Sequence, residues 1–254
     1  MTNDLSGKVV LVTGASTGIG AAAALAFARV GCKLVVHYNA SRDAAESVVA
    51  RAREAGARAD AVHGDVTAAG EVRRIVAQAM ALHGRIDVLV NNAGGMVGRI
   101  RIEDYTEDYL QQVLALNVTQ VALFMKEVVP IMRAQKSGNI INVSSIAARN
   151  GGGGGAVLYA GTKGFVATAT RGWAKEVVAD GIRVNAVSPG VIITPFHERY
   201  STAEQLRAMQ ATIPMNRLGS AEECSGAFLF LASDAMSGYV TGQVIEVNGG
   251  QFMA

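Results

Sequence analysis

Val9-Val10-Leu11-Val12-Thr13-Gly14-Ala15-Ser16-Thr17-Gly18-Ile19-Gly20 is the stretch on which the reading of the whole chain turns. Four successive apolar residues, three of them β-branched, predict a strand that is apolar on both faces, as a parallel sheet covered by helices on both sides requires. The glycine-bearing segment 13–20 leads straight into a helical pattern over 21–30, so backbone N–H groups and the positive end of the helix dipole point at whatever sits there. A pyrophosphate suits that environment. Gly14 can take a sharp turn, Gly18 leaves room for backbone to approach a ligand, and Gly20 lets helix and strand pack closely. The plainer alternative is that these glycines serve the turn alone. Gly14-Ala15-Ser16-Thr17-Gly18 also matches the nucleophile elbow of serine hydrolases. Position argues against it: too little chain precedes Ser16 to supply an oxyanion-hole loop, and the sole late histidine is His197.

Outward from this stretch, a strand at 33–36 completes a βαβ unit, and the rhythm continues. Helices are predicted over 44–54, 71–82, 109–132, 158–178 and 221–231, and strands over 59–63, 87–90, 139–144, 183–188 and 243–248. About seven strands alternate with helices without a linker, repeat or charge block. This predicts a single doubly wound α/β domain of Rossmann type over 1–254, with a mostly parallel sheet and helices on both faces. The glycine run 151–155 reads as a flexible loop beside a site. Segment 195–214, with His197, Glu198, Arg199 and Tyr200 ahead of an amphipathic helix, reads as a lid over a substrate.

Composition agrees with this class. Of 254 residues half are hydrophobic, 17% are charged and 6% aromatic, which predicts a core of Ala, Val, Ile and Leu. The 23 basic and 21 acidic residues are scattered, without the basic stripe that nucleic-acid binding needs. Cys32 and Cys224 stand alone and read as buried thiols, and no metal site is expected. The first eight residues are polar with no signal region behind them, and no uninterrupted apolar run looks long enough for a bilayer, so a soluble, cytoplasmic protein is expected. Asn-x-Ser/Thr triplets at Asn39, Asn117 and Asn142 therefore carry no glycosylation meaning.

Further motifs fall in order along the chain: Thr13 to Gly20, Asp65-Val66, Asn91-Asn92-Ala93-Gly94, Asn117, Ser145, Tyr159-x-x-x-Lys163, and Pro189-Gly190 followed by Thr194. In this set and spacing the sequence closely resembles the classical short-chain dehydrogenase/reductase family over nearly its whole length. Within that family Ile213-Pro214-Met215-Asn216-Arg217-Leu218-Gly219 and Tyr239-Val240-Thr241-Gly242-Gln243 are most similar to the 3-oxoacyl-carrier-protein reductase type. Ser145 and Tyr159 are one residue further apart than is common in the family, which keeps Ser144 as an alternative to Ser145.

Tyr159 and Lys163 are four apart at the start of a helix and share a face. A free Tyr titrates near pH 10, and an adjacent ammonium favours phenolate, bringing general acid/base chemistry closer to neutral pH. The resemblance implies that Tyr159 passes a proton to a carbonyl oxygen while a nicotinamide delivers hydride to the carbon. It further implies that Ser145 orients that oxygen, that Asn117 holds a water in a relay with Lys163, and that Lys163 reaches the nicotinamide ribose. Asp65 with Val66 would meet the adenine; Asn91, Ala93 and Gly94 would line the adenosine side; Pro189, Gly190, Ile192 and Thr194 would close over the carboxamide. Gly14, Ser16, Thr17, Gly18, Ile19 and Gly20 would carry the pyrophosphate.

The second strand ends Val36-His37-Tyr38-Asn39-Ala40-Ser41-Arg42. The carboxylate that NAD enzymes place there is missing, so Tyr38, Asn39, Ser41 and Arg42 favour a 2′-phosphate and hence NADP over NAD. The family's frequent loop arginine is absent as well, Thr17 standing in its place. Arg99 and Arg101 could attract an anionic or phosphopantetheine-linked substrate. The resemblance implies a homotetramer built on the helix after Tyr159 and on the terminal strand. Alternatives are an NAD-dependent sugar, polyol or other alcohol dehydrogenase, a non-catalytic NADP sensor or scaffold, and a methyltransferase, which would not need the Tyr-x-x-x-Lys pair.

Overall fold

The computed structural model describes residues 3–253, and its strands are β1 (Val9–Val12), β2 (Lys33–Tyr38), β3 (Ala59–His63), β4 (Val88–Asn91), β5 (Gly138–Val143), β6 (Ile182–Pro189), β7 (Ile192–Ile193), β8 (Gly219–Ser220) and β9 (Val244–Val247). Seven of them pair in parallel in the order β3-β2-β1-β4-β5-β6-β9, while β7 and β8 form a separate two-stranded patch. The helices are α1 (Gly18–Arg29), α2 (Arg42–Glu54), α3 (Glu71–His83), α4 (Glu107–Leu114), α5 (Gln120–Gln135), α6 (Ala147–Asn150), α7 (Val157–Val177), α8 (Pro195–Tyr200), α9 (Ala203–Gln210), α10 (Ser225–Ala232) and α11 (Asp234–Ser237).

Successive strand residues point to opposite faces, and both faces are covered. Val10 and Val12 of β1 join Phe27 and Phe228 in a core beneath α1, α2 and α10. Leu11 turns the other way, to a second core with Ile75, Phe124 and Ile140 beneath α3, α5 and α7. This is why β1 reads as an unbroken apolar run. The strand order reverses between β1 and β4, where helices leave to opposite faces and a crevice opens beyond the carboxyl ends. Cys32 and Cys224 are fully buried, and burial pushes both thiols up to about 12.

The departures from the predicted elements have local causes. The helix expected over 109–132 extends from Glu107 to Gln135, with a π-helical turn at Ala115–Thr119. Asn117 causes it: its Nδ2 donates to the Val113 carbonyl, the acceptor an α-helix would give to the Asn117 N–H. By length and a mean hydropathy of 1.4 this helix is long enough to span a bilayer, but Lys126, Glu127 and Arg133 interrupt its apolar run. Val121, Phe124, Val128 and Met132 of this segment are buried in the second core. The lid segment holds two short helices, α8 and α9, because Thr202 and Gln205 form a reciprocal capping box that starts a new helix. The last helix begins later than predicted, after a 3₁₀ turn at Glu222–Cys224.

Candidate active site

The carboxyl ends of β1, β4, β5 and β6 deliver their loops to one cavity of about 580 Å³. Its floor is the glycine loop. Gly14 (φ +60°) and Gly18 (φ +57°) are left-handed, where glycine is strongly favoured. A Cβ on Gly20 would lie 2.6 Å from the Gly14 carbonyl oxygen, so this glycine folds the loop back on itself. Thr17, the residue preceding α1, makes no side-chain cap, which leaves the first-turn N–H groups open to an anion. The loop and helix thus fit a dinucleotide pyrophosphate.

Two residues outside the glycine pattern hold this loop. Asn92 donates from Nδ2 to the carbonyls of Thr13 (2.8 Å) and Gly14 (3.0 Å), and Thr13 Oγ1 accepts from the N–H groups of Asn92 and Ala93. His37 Nδ1 accepts from the Gly14 N–H at 3.1 Å, so its Nε2 carries the proton and donates to the Gly64 carbonyl at 3.0 Å. Burial holds His37 down to about 4, which keeps it neutral in this bridge. Neither residue was singled out by sequence reasoning. The signal available was the alternative presence of polar residues at the ends of strands otherwise wholly apolar.

The four residues expected to do chemistry fall at the cavity or against it. Ser145, Tyr159 and Lys163 line it. The Ser145 hydroxyl faces the Tyr159 phenol across the cavity lining, and its oxygen accepts from the Ala147 N–H at 3.1 Å. Ser144 donates to the Lys163 carbonyl, so the alternative serine is committed to the scaffold. Lys163 Nζ lies 5.8 Å from the centre of the Tyr159 ring and donates to the Val143 carbonyl at 2.8 Å. Burial pushes the Tyr159 phenol up to about 12, with Ser145 opposing, and draws Lys163 down to about 8. The expectation that the phenol is lowered is thereby corrected: burial raises it.

Asn117 is held through its side chain: its Oδ1 accepts from the Gly95 N–H (3.0 Å) and its Nδ2 donates to the Gly95 and Val113 carbonyls, so any water in a relay would meet an oxygen of this residue rather than its amide hydrogens. It fixes the Gly94–Gly95 turn against Lys163; a Cβ on Gly94 would sit 3.2 Å from Nζ.

Gly94, Pro189, Gly190, Ile192 and Thr194 line the cavity as well, with Ile19 opposite. Three side chains assigned to the cofactor turn elsewhere. Asn91 donates to Asn142 inside the sheet, Val66 is buried in the second core, and Tyr38 is buried in the first, tilted on His63. Tyr38 and Asn91 end their strands and Val66 lies in the turn after β3, and all three face inward. Asp65 accepts from the Thr67 N–H and hydroxyl through Oδ1, leaving Oδ2 for an adenine amino group. Asn39, Ser41 and Arg42 are exposed where α2 begins.

The cavity roof is α8 and α9, contributing Phe196, His197 and Met209. Phe196 packs on Tyr159 with ring centres 5.6 Å apart.

A model described as enoyl-(acyl carrier protein) reductase, within the short-chain dehydrogenase/reductase family, matches residues 14–251. The chain belongs to that family. It is 42% identical over 253 residues to a 3-oxoacyl-[acyl-carrier-protein] reductase of Synechocystis sp., covering 98% of each, and 40% identical to one of Thermotoga maritima, covering 97% of this chain and 98% of the relative. The solved structure of an NADH-dependent reductase responsible for alginate metabolism superposes with a TM-score of 0.92 at 35% identity, over 99% and 100% of the two chains. The same reductase complexed with NAD gives 0.89 at 36% identity over the whole of both chains. This short-chain dehydrogenase/reductase is an NAD(P)-dependent oxidoreductase transferring hydride between a nicotinamide and a carbonyl or alcohol.

Proposed function

We propose that this family member works as an NADPH-preferring carbonyl reductase in which Tyr159 is the proton donor. The observation that carries this is the meeting of Ser145, Tyr159 and Lys163 in one cavity floored by the glycine loop. The nicotinamide supplies the hydride. Ser145 hydrogen-bonds the carbonyl oxygen, and Tyr159, protonated across the physiological range, donates its hydroxyl proton to that oxygen. Lys163, charged below about 8, stabilises the phenolate left behind. Gly14, Ser16 through Gly20, Asp65, Ala93 and Gly94 hold the dinucleotide, with Asn117 as a positioning residue for the last of these. Segment 195–214 serves as the lid of one domain spanning the chain.

The sign of the pH dependence follows. Reduction is expected to lose kcat/KM as pH rises through about 8, where the buried Lys163 gives up its charge. Initial rates from pH 6 to 10 check this; a flat profile through 8 to 9 contradicts it.

NADPH preference rests on the start of α2. Ser41 precedes the helix without capping it, Arg42 is exposed with no ion-pair partner among the described residues, and no carboxylate ends β2. Arg42→Asp is expected to lower kcat/KM with NADPH by about 10–100-fold, as loss of a charge-assisted contact implies, and to raise it with NADH. Unchanged selectivity would refute this assignment. The relatives named for NADH and alginate favour a second reading, reduction of a sugar-derived carbonyl with NADH; those named 3-oxoacyl-[acyl-carrier-protein] reductase favour a 3-oxoacyl thioester.

The chain is further proposed to act in the cytoplasm as a homotetramer, without nucleic-acid or membrane partners. Val157, Phe165 and Val178 are exposed on or next to α7, and Phe165 meets Trp173 edge-on at 6.2 Å, giving an apolar surface for a second copy. Light scattering should return four chains per particle; a monomer at working concentration would exclude it.

A further inference from the structure

Among the described residues lining the cavity there is no Asp or Glu, but there are two cationic side chains, Lys163 and Arg99. Lys163 sits beside Tyr159. Arg99, from the loop after β4, is a different case. Its Nε donates to the Tyr200 carbonyl at 2.7 Å and its Nη1 to the Gly154 carbonyl at 2.9 Å, which ties the roof helix α8 to the glycine run. Both partners are neutral. Nearby arginines are compensated: Arg149 pairs with Glu246 at 3.2 Å, Arg217 with Glu223 at 2.6 Å, and Arg101 faces Glu103 at 3.8 Å on the surface. Among the described residues no carboxylate pairs with Arg99, which there keeps its charge unneutralised on the cavity wall.

A guanidinium has five N–H groups in a planar fork. Two are engaged by carbonyls, and three remain, including both on Nη2, enough for the bidentate pairing that matches a carboxylate. The remaining walls mix apolar side chains such as Met96, Phe196 and Met209 with polar ones. Thr212 donates its hydroxyl to the Met209 carbonyl at 2.7 Å, so it can only accept from Gln251 Nε2, also at 2.7 Å. That fixes the amide orientation and leaves Gln251 Oε1 without a partner. With Asn150, Gln205, Thr212 and Gln251 among its lining, the cavity offers no continuous apolar sleeve for a long acyl chain.

We propose that Arg99 is the specificity residue for a carboxylate on the substrate, and that the natural substrate class is a small oxo acid whose carbonyl lies at Tyr159 while its carboxylate pairs with Arg99. This rests on the carbonyl-reductase reading above. The reduction balances as a two-electron step: hydride from NAD(P)H forms the new C–H bond, the carbonyl π bond breaks, and its oxygen takes the Tyr159 proton, which solvent restores. The carboxylate is unchanged. The spatially nearer alternative, a carrier thioester, would place its phosphate at the end of a long arm, outside a cavity of this size.

The test compares 2-, 3-, 4- and 5-oxo acids with their primary amides, and with neutral acetoacetyl-N-acetylcysteamine, in the intact enzyme with NADPH or NADH. At least one acid should exceed its amide by about 10–100-fold in kcat/KM, the range one charge-assisted hydrogen-bond pair supports. That ratio should collapse towards one in Arg99→Gln and be retained only in part in Arg99→Lys, which keeps the charge but not the planar fork. A wild-type ratio near one, a best rate on the neutral thioester, or a ratio unchanged in Arg99→Gln would overturn the proposal. If nothing is turned over, the reductase reading falls separately, and calorimetry with 4-oxopentanoate decides the anion site: binding to wild type but not to Arg99→Gln sustains it, and equal or absent binding overturns it.

Discussion

Tyr159→Phe is expected to reduce kcat/KM for carbonyl reduction by about 10²–10⁴-fold, the range a positioned proton donor supplies. The substitution removes one oxygen and keeps the ring that packs on Phe196 at 5.6 Å between centres, so the roof has no reason to move. Ser145 remains anchored by the Ala147 N–H at 3.1 Å, and Lys163 by the Val143 carbonyl. What disappears is the proton donor at the position where the carbonyl oxygen would accept. NADPH should still bind, as enhanced cofactor fluorescence would register. A variant retaining a tenth or more of the wild-type rate would mean that another group or water protonates the product, and the assignment of Tyr159 would fail.

Gly20→Ala is expected to weaken NADPH binding by about 10–100-fold and to lower the melting temperature. The new methyl would stand 2.6 Å from the Gly14 carbonyl oxygen and closer still to the Asn92 amide that donates to it. Overpacking of this kind typically costs about 1–3 kcal/mol. The obstructing atoms are backbone and a bonded amide rather than the free end of a flexible chain, so relief must come from moving Gly14 or breaking the Asn92 contact. Either change distorts the loop whose N–H groups receive the pyrophosphate. Fluorescence titration and a thermal melt read the two effects; wild-type affinity in the variant would show that the close approach at Gly20 has no part in cofactor binding.

The fold was legible because its signal is long and repeated. Strands such as Val9–Val12 are apolar on both faces, and helices of more than ten residues lie between most strands, so each unit supports the same reading. Short pieces carried no comparable signal: β7 and β8 have two residues each, and α6 has four. The π turn was hidden because it depends on one side chain, Asn117, bonding to its own helix and to Gly95 across space.

At the site, residue types and order were legible, but side-chain direction was not. Asn91 and Asn92 are adjacent amides; the first turns into the sheet towards Asn142, and the second holds the glycine loop. Spacing does not separate them, because the strand ends between the two. His37 likewise reads as one polar residue in an apolar strand, and only the approach of Gly14 and Gly64 from other elements reveals the bridge. The behaviour of the Tyr159–Lys163 pair also depends on depth: four-residue spacing brings them to one helix face, while burial decides which way each titrates. Arg99 could be placed near the site, but its carbonyl partners on Tyr200 and Gly154, with no carboxylate beside it among the described residues, are a fact of three-dimensional neighbourhood.

The most direct test of hydride transfer at this cavity uses NADPH carrying deuterium at the transferable position, with the oxo acids and thioester named above, and mass analysis of the product. An alcohol heavier by one deuterium, formed in step with cofactor oxidation and lost in Tyr159→Phe, is the predicted result. Cofactor oxidation that leaves every product unlabelled would contradict the account.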